Sequence, residues 1–98
     1  MKKERNNKDK HMEVCKKLNQ IYEKKNHDYG DSFTETYNEL GLISCITRMN
    51  DKMNRLKSLA KNGNNEVKDE TISDTLLDLA NYSIMTYMCL QNDEKGSN

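Results

Sequence analysis

A chain of 98 residues is a single domain, and with 34% hydrophobic against 33% charged residues and a mean hydropathy of -1.08 it excludes a large private core. Part of its apolar surface is therefore expected in the interface of a homodimer or homotetramer. Sixteen basic and sixteen acidic residues cancel, which excludes an overall field that would draw the chain to nucleic acid or to an anionic membrane.

Residues 1–8 are almost wholly charged or amidic and are expected to be a disordered basic N-terminus. The structured domain is expected over residues 9–91, with 92–98 as a flexible tail. No apolar run approaches the roughly 18 residues of a membrane span, and residues 1–10 lack the apolar stretch of a signal peptide, so a cytoplasmic location is expected. Cys15, Cys45 and Cys89 form no C-x-x-C pair. They read as reduced, partly buried thiols and not as a disulfide framework or a zinc site.

The spacing predicts a first helix over Asp9–Lys25, with Met12, Cys15, Leu18 and Tyr22 on one side and Val14 and Ile21 beside them. Residues 26–36 show neither helical nor strand periodicity, and Gly30 marks a turn among them, so they read as an ordered loop. A second helix carries Leu42, Ile46, Met49, Met53, Leu56 and Ala60 as one continuous apolar seam. Asn62-Gly63-Asn64-Asn65 ends it and supplies a turn. A third helix follows, capped by Asn65 or, if it starts later, by a Thr71/Asp74 capping box. Its inner seam is predicted as Ile72, Leu76, Leu79, Ser83, Tyr87 and Leu90, and Leu77, Ile84, Met85 and Met88 add apolar residues for a subunit contact. Two long amphipathic helices joined by so short a turn pack antiparallel, and the first helix can cover them. The expected fold is an all-α bundle of three to four helices.

Away from the inner seam of the third helix, Glu70, Asp74 and Asp78 follow one another at i,i+4 steps, and Asn81 continues the row. None of the three acids has a Lys or Arg three or four residues away. Acids so placed need cations, and a divalent metal with oxygen ligands is one source, Mg²⁺ or alternatively Mn²⁺ where phosphates complete the shell. A solvated acidic face, or pairing with bases on another helix, is the other reading. The second helix could supply such bases, because Arg48, Lys52 and Arg55 flank its apolar seam with Asp51 next to them. Those bases could neutralise the acid row, or hold phosphate while Asp51 joins the acids in holding metal. The loop adds His27, Asp28, Tyr29 and Asp31, preceded by Lys24 and Lys25. Tyr29 and Phe33 could stack on a base, and either lysine could touch phosphate.

Three strings carry a resemblance: Lys25-Asn-His-Asp-Tyr-Gly-Asp-Ser-Phe33, Arg48-x-x-Asp51-Lys52-x-x-Arg55-Leu56, and Asp69-Glu70-x-x-x-Asp74-Thr-Leu-x-Asp78-Leu-Ala-Asn-Tyr82. Together they resemble the nucleotide modification associated domain 1 family, found largely in phages and bacteria, and are similar to the all-α nucleotide pyrophosphohydrolases of the MazG and dimeric dUTPase kind. The resemblance implies an oligomeric bundle in which Asp51, Glu70, Asp74 and Asp78 hold Mg²⁺ against a nucleotide's phosphates. It further implies that Asp51, Glu70 and Asp74 serve catalysis, and that Lys25, His27, Asp28, Tyr29, Arg48, Lys52, Arg55 and Asn81 contact the nucleotide. In the catalytic members, metal-activated water cleaves between the α and β phosphates. This chain departs from the larger superfamily, whose second helix carries two acids a turn apart, since here Asp51 stands among bases. Either Asp28 or Asp31 completes the site, or the domain binds and sequesters a nucleotide, or a nucleotide-derived signal, without cleaving it efficiently.

Overall fold

The computed structural model describes residues 6–62 and 71–96, with side chains up to Asp93. Among the described residues all regular structure is helical: α1 (Asn7–Tyr29), α2 (Ser32–Leu40), α3 (Leu42–Asn62) and α4 (Ile72–Gly96). These form two compact units, Met1–Gly30 and Asp31–Asn98.

In the first unit, α1 runs longer at both ends than the apolar spacing predicts. The Asn6 side chain accepts a hydrogen bond from the Asp9 amide at 2.9 Å and caps its start. At the other end Gly30, with φ 69°, returns its N–H to the Asn26 carbonyl at 2.8 Å. That left-handed conformation is one a glycine adopts without steric cost. Residues His27, Asp28 and Tyr29 are therefore the last turn of α1 and not part of a loop. Leu18 is buried and Ile21 and Tyr22 are half-buried, whereas Met12 and Cys15 face solvent.

The second unit begins with a helix where the sequence reading has loop. Phe33, Tyr37 and Leu40 stand at i, i+4 and i+7, and the first two are buried. Gly41, at φ 84°, ends α2 by donating to the Tyr37 carbonyl at 2.7 Å. In the next turn Ser44 Oγ donates back to the Gly41 carbonyl at 2.8 Å. Phe33, Tyr37, Cys45 and Cys89 make the core cluster, with Tyr82 and Met85 packed against it. Burial pushes the Cys89 thiol above its ordinary pKa, which leaves it a poor nucleophile.

Contacts between Cys45 and Cys89, Met49 and Ser83, and Lys52 and Asp78 run in opposite chain directions, so α3 and α4 are antiparallel as expected. The start of α4 is the later of the two considered. Asp74 N–H donates to Thr71 Oγ1 at 3.0 Å while the Asp74 carboxylate accepts from Thr71 N–H at 3.3 Å, a reciprocal capping box immediately before Ile72. Asn65 and most of the proposed turn lie outside the described residues.

The predicted seams meet only in part, through Met49 and Ser83, with Leu56 and Leu79 half-buried. Leu42, Ile46, Met53 and Ala60 on α3, and Ile72, Leu76, Ser83, Tyr87 and Leu90 on α4, are exposed. Instead Cys45, Arg48, Lys52, Arg55 and Leu59 of α3 turn toward Thr75, Asp78, Tyr82, Met85 and Cys89 of α4, all buried or half-buried. Both rows have the 3,4,3,4 spacing of a helix face. The buried hydroxyls are satisfied locally, Thr75 Oγ1 donating to the Thr71 carbonyl at 2.8 Å and Thr86 Oγ1 to the Tyr82 carbonyl at 2.7 Å. A polar row can thus be buried without orphaned groups.

The end of α4 is tied to α2 by Tyr37, whose O–H donates to the Asp93 carboxylate. That hydrogen bond to an anion, followed by burial, pushes the Tyr37 pKa from 10.0 to about 12. The folded-state value lies above the unfolded one, so the stabilisation is complete below pH 10 and is lost as pH rises through about 12. Tyr37→Phe should melt below the wild type from neutral pH to pH 10, and the difference should close as pH approaches 12. A gap that stays constant across thermal melts in this alkaline range would show that the bond does not hold α2 to α4.

Candidate functional site

The chemistry-bearing residues of the second unit gather on the inward rows of α3 and α4. Arg48, Lys52 and Arg55 project from α3 at i, i+4 and i+7 and all are half-buried. Lys52 Nζ lies 3.2 Å from Asp78 Oδ2, with the two side chains 21% and 20% exposed. The counter-charge that α4 lacks along its own length therefore reaches Asp78 from α3. Of the two roles open to the basic strip, neutralising the acid row is realised at this pair.

Arg48 is held differently. Its guanidinium carbon sits 5.4 Å from the centroid of the Phe33 ring, and its Nη2 donates to Thr36 Oγ1 at 3.5 Å. Phe33 in turn stacks on Tyr82, with ring centroids 5.8 Å apart and planes 16° from parallel. Phe33 is thus a buried support for Arg48, which corrects the expectation that it stacks on a base. Asn81 is buried on α4 beside this row, and Thr75 is wholly buried one turn before Asp78.

The four candidate metal ligands are not brought together by the described structure. Glu70 lies outside the described residues. Asp51 is exposed on the flank of α3, and Asp74 is exposed and engaged in the capping box. Among the described residues no three of His, Cys, Asp and Glu are close enough to hold a metal ion. Among the described candidate acids Asp78 lies on the inward face, and any ion there would compete with Lys52 for its carboxylate.

The motif at the end of α1 belongs to the first unit. His27 Nδ1 lies 3.4 Å from Asp28 Oδ1, with side chains 90% and 50% exposed. Lys25 and Tyr29 are also exposed on this last turn. A half-exposed Asp beside an open imidazole in water has room for a ligand and little electrostatic preorganisation of its own.

Thr75, Tyr82 and Thr36 escaped sequence reasoning. Thr75 and Tyr82 share the 3,4,3,4 row with Asp78, and that row would have disclosed them had polar residues been admitted to the helix face. Thr36 had no signal before α2 was known to be a helix.

The sequence profile described as Nucleotide modification associated domain 1 matches residues 25–90. No curated protein and no solved structure matches the chain. Among the described residues, no helix is long and apolar enough to cross a membrane.

Proposed function

Because the chain belongs to the nucleotide modification associated domain 1 family, we propose that the seam between α3 and α4 binds a nucleotide by its phosphates. The observation that carries this is the direction in which the basic strip points. Arg48, Lys52 and Arg55 lie on the inward row of α3, where the facing row of α4 offers one acid, Asp78. Three cationic side chains thus share a half-buried face although an apolar row lies beside it on the same helix. A phosphate group suits such a strip, because guanidinium forks match its oxygens.

Binding then amounts to an exchange of partners at Lys52. The ammonium passes from the Asp78 carboxylate to a phosphate oxygen, and the carboxylate becomes available to a divalent cation accompanying the phosphates. Mg²⁺, when bound, neutralises phosphate charge and can activate water for attack on phosphorus. Asp78 and Asp74 would hold it from α4, with Glu70 and Asp51 as further ligands. Asn81 can donate to a phosphate or sugar oxygen, and Arg48 is pre-positioned by Phe33. In this reading the full acid set turns the binding domain into a pyrophosphohydrolase of the MazG-like kind.

The second reading is a binder that sequesters a nucleotide or nucleotide-derived signal intact. It is favoured by the separation of Asp51, Asp74 and Asp78, which leaves the described residues without a three-acid cluster. One preparation decides between the two. A panel of nucleoside triphosphates with Mg²⁺ is titrated by calorimetry and assayed in parallel for pyrophosphate release. Stoichiometric binding with the ligand recovered intact assigns a binder, whereas release that vanishes in Asp74→Asn assigns the hydrolase. Asp74→Asn keeps its own N–H bond to Thr71 Oγ1 and an amide oxygen to accept from Thr71 N–H, so a melt of this variant should stay close to that of the wild type. No binding and no pyrophosphate release with any triphosphate, with or without Mg²⁺, would remove the hydrolase reading for triphosphates and restrict the binder to nucleotide-derived ligands of another kind.

A further inference from the structure

We propose that His11 and Cys15 of α1 form a two-point chelate for a divalent ion of the zinc class. The two residues stand at i and i+4, one turn apart on the same face of the helix, and His11 Nδ1 lies 3.7 Å from Cys15 Sγ. Zinc binds sulfur at about 2.3 Å and imidazole nitrogen at about 2.0 to 2.1 Å. At a tetrahedral angle those bond lengths set the two donors about 3.6 Å apart. An ion therefore fits between Sγ and Nδ1 with almost no movement of either atom.

The helix supplies this geometry before any ion arrives. The Asn6 side chain caps α1 through the Asp9 amide at 2.9 Å, and Lys10 N–H donates to the Asn6 carbonyl at 3.2 Å, so the turn leading into His11 is fixed. Both donors belong to one turn of one helix, and the chelate needs no other element of the chain. Sulfur and imidazole select zinc and its late first-row neighbours over Mg²⁺. The site is thus chemically separate from the carboxylates of α3 and α4 and does not rest on the nucleotide reading. On binding, Cys15 gives its thiol proton to solvent and coordinates as thiolate, while the His11 ring keeps its proton on Nε2 and coordinates through Nδ1.

Among the described residues no third His, Cys, Asp or Glu joins the pair. The other coordination positions fall to water, and with fewer protein ligands than a structural or catalytic zinc site has, the ion is held reversibly. Half the ligand set of a structural site corresponds to roughly the square root of its dissociation constant, on the order of 1 to 100 µM. A search for paired cysteines passes over this site, because Cys15, Cys45 and Cys89 form no C-x-x-C pair. A mixed pair needs only one of them. Cys45 and Cys89 are buried in the core cluster of the second unit, and His27 has Asp28 beside it, so among the described residues Cys15 and His11 are the thiol and imidazole that share a turn.

The full chain, kept reduced with a non-thiol reductant and free of nucleotide, is titrated with Zn²⁺ by calorimetry and with Co²⁺ by absorption. One zinc per chain in that range is expected, together with the near-ultraviolet charge-transfer band of a cobalt thiolate. Cys15→Ser should abolish the band, and Cys15→Ser and His11→Ala should each weaken zinc by about tenfold or more. Cys15→His keeps an i,i+4 chelate and should hold zinc within about tenfold of the wild type without the band. Both positions are exposed, so these variants should melt like the wild type. A dissociation constant above about 1 mM, or zinc binding indifferent to Cys15→Ser and His11→Ala, would overturn the inference. So would zinc that is lost in His27→Ala alone, which would place the ion on the His27–Asp28 pair at the other end of α1.

Discussion

Lys52→Ala should weaken nucleotide binding by about one to two orders of magnitude, since a hydrogen bond to a charged group contributes about 1.5 to 3 kcal/mol. The variant also takes from Asp78 its Lys52 partner at 3.2 Å. A pair about four-fifths buried lies between the surface and the buried case, so removing Lys52 should cost on the order of 1 to 3 kcal/mol, and a melt of the variant fixes the folded fraction before affinity is read. Asp78→Asn separates the two roles of the carboxylate. If Asp78 only neutralises Lys52, removing its charge should tighten phosphate binding measured without metal, because the ammonium no longer has to be released. If Asp78 also holds Mg²⁺, the same variant should lose the increment in affinity and in melting temperature that the metal confers on the wild type. In a hydrolase, Lys52→Ala must lower kcat more than it raises KM, because charge on the phosphates grows toward the transition state. Calorimetry at matched ionic strength, with and without Mg²⁺, measures these quantities. Unchanged affinity in Lys52→Ala would place phosphate recognition elsewhere than the α3–α4 seam.

That site was half legible from the sequence, and the reason lies in what a hydrophobic pattern reports. Leu42, Ile46, Met49, Met53 and Leu56 announce a helix correctly, because apolar spacing of this kind arises only on a helix. It does not say which partner covers the seam. Here Leu42, Ile46 and Met53 are exposed while Met49 and Leu56 are half-buried. The inward rows were hidden because Arg48, Lys52, Asp78 and Thr75 are polar, and a reading that sorts residues into core and solvent assigns them to solvent. The counter-charge of Asp78 was legible as one of the two roles open to the basic strip of α3, and Lys52 is the member that supplies it. Residues 26–29 were read as loop for a different reason. Asn26, His27 and Asp28 have weak helix propensity and no apolar period, but Gly30 was the stop signal of α1 and not the middle of a turn. Once Gly30 and Gly41 are taken as helix ends, the nine residues of α2 between them follow from Phe33, Tyr37 and Leu40. Asp74 shows a limit of another kind. A capping box and a metal ligand can be written with the same residue, and only the Thr71 contacts reveal that the cap is made.

Phe33→Ala should be the most damaging substitution in the second unit. The ring is 8% exposed, stacks on Tyr82 of α4 at 5.8 Å and carries the Arg48 guanidinium of α3 at 5.4 Å, so one side chain of α2 touches both long helices. Truncating a buried Phe costs about 3 to 5 kcal/mol, which includes the cavity left behind. A domain of this size has roughly 5 to 15 kcal/mol in total, and each 1 kcal/mol moves the melting temperature by about 4 to 8 °C. A fall of about 15 to 30 °C is expected. Phe33→Leu keeps most of the apolar volume but removes the face on which Tyr82 and Arg48 rest, and should cost about 1 to 2 kcal/mol. The pair of variants therefore separates packing from positioning. If Phe33 holds Arg48 for phosphate, Phe33→Leu should lose nucleotide affinity out of proportion to its small loss of stability, with the loss confined to ligands that carry phosphate. If Phe33→Leu binds like the wild type while Phe33→Ala unfolds, the ring is packing alone and Arg48 has no part in recognition. Should Phe33→Ala itself melt within a few degrees of the wild type, α2 would not be seated on α3 and α4, and the aromatic support of the site would be withdrawn with it.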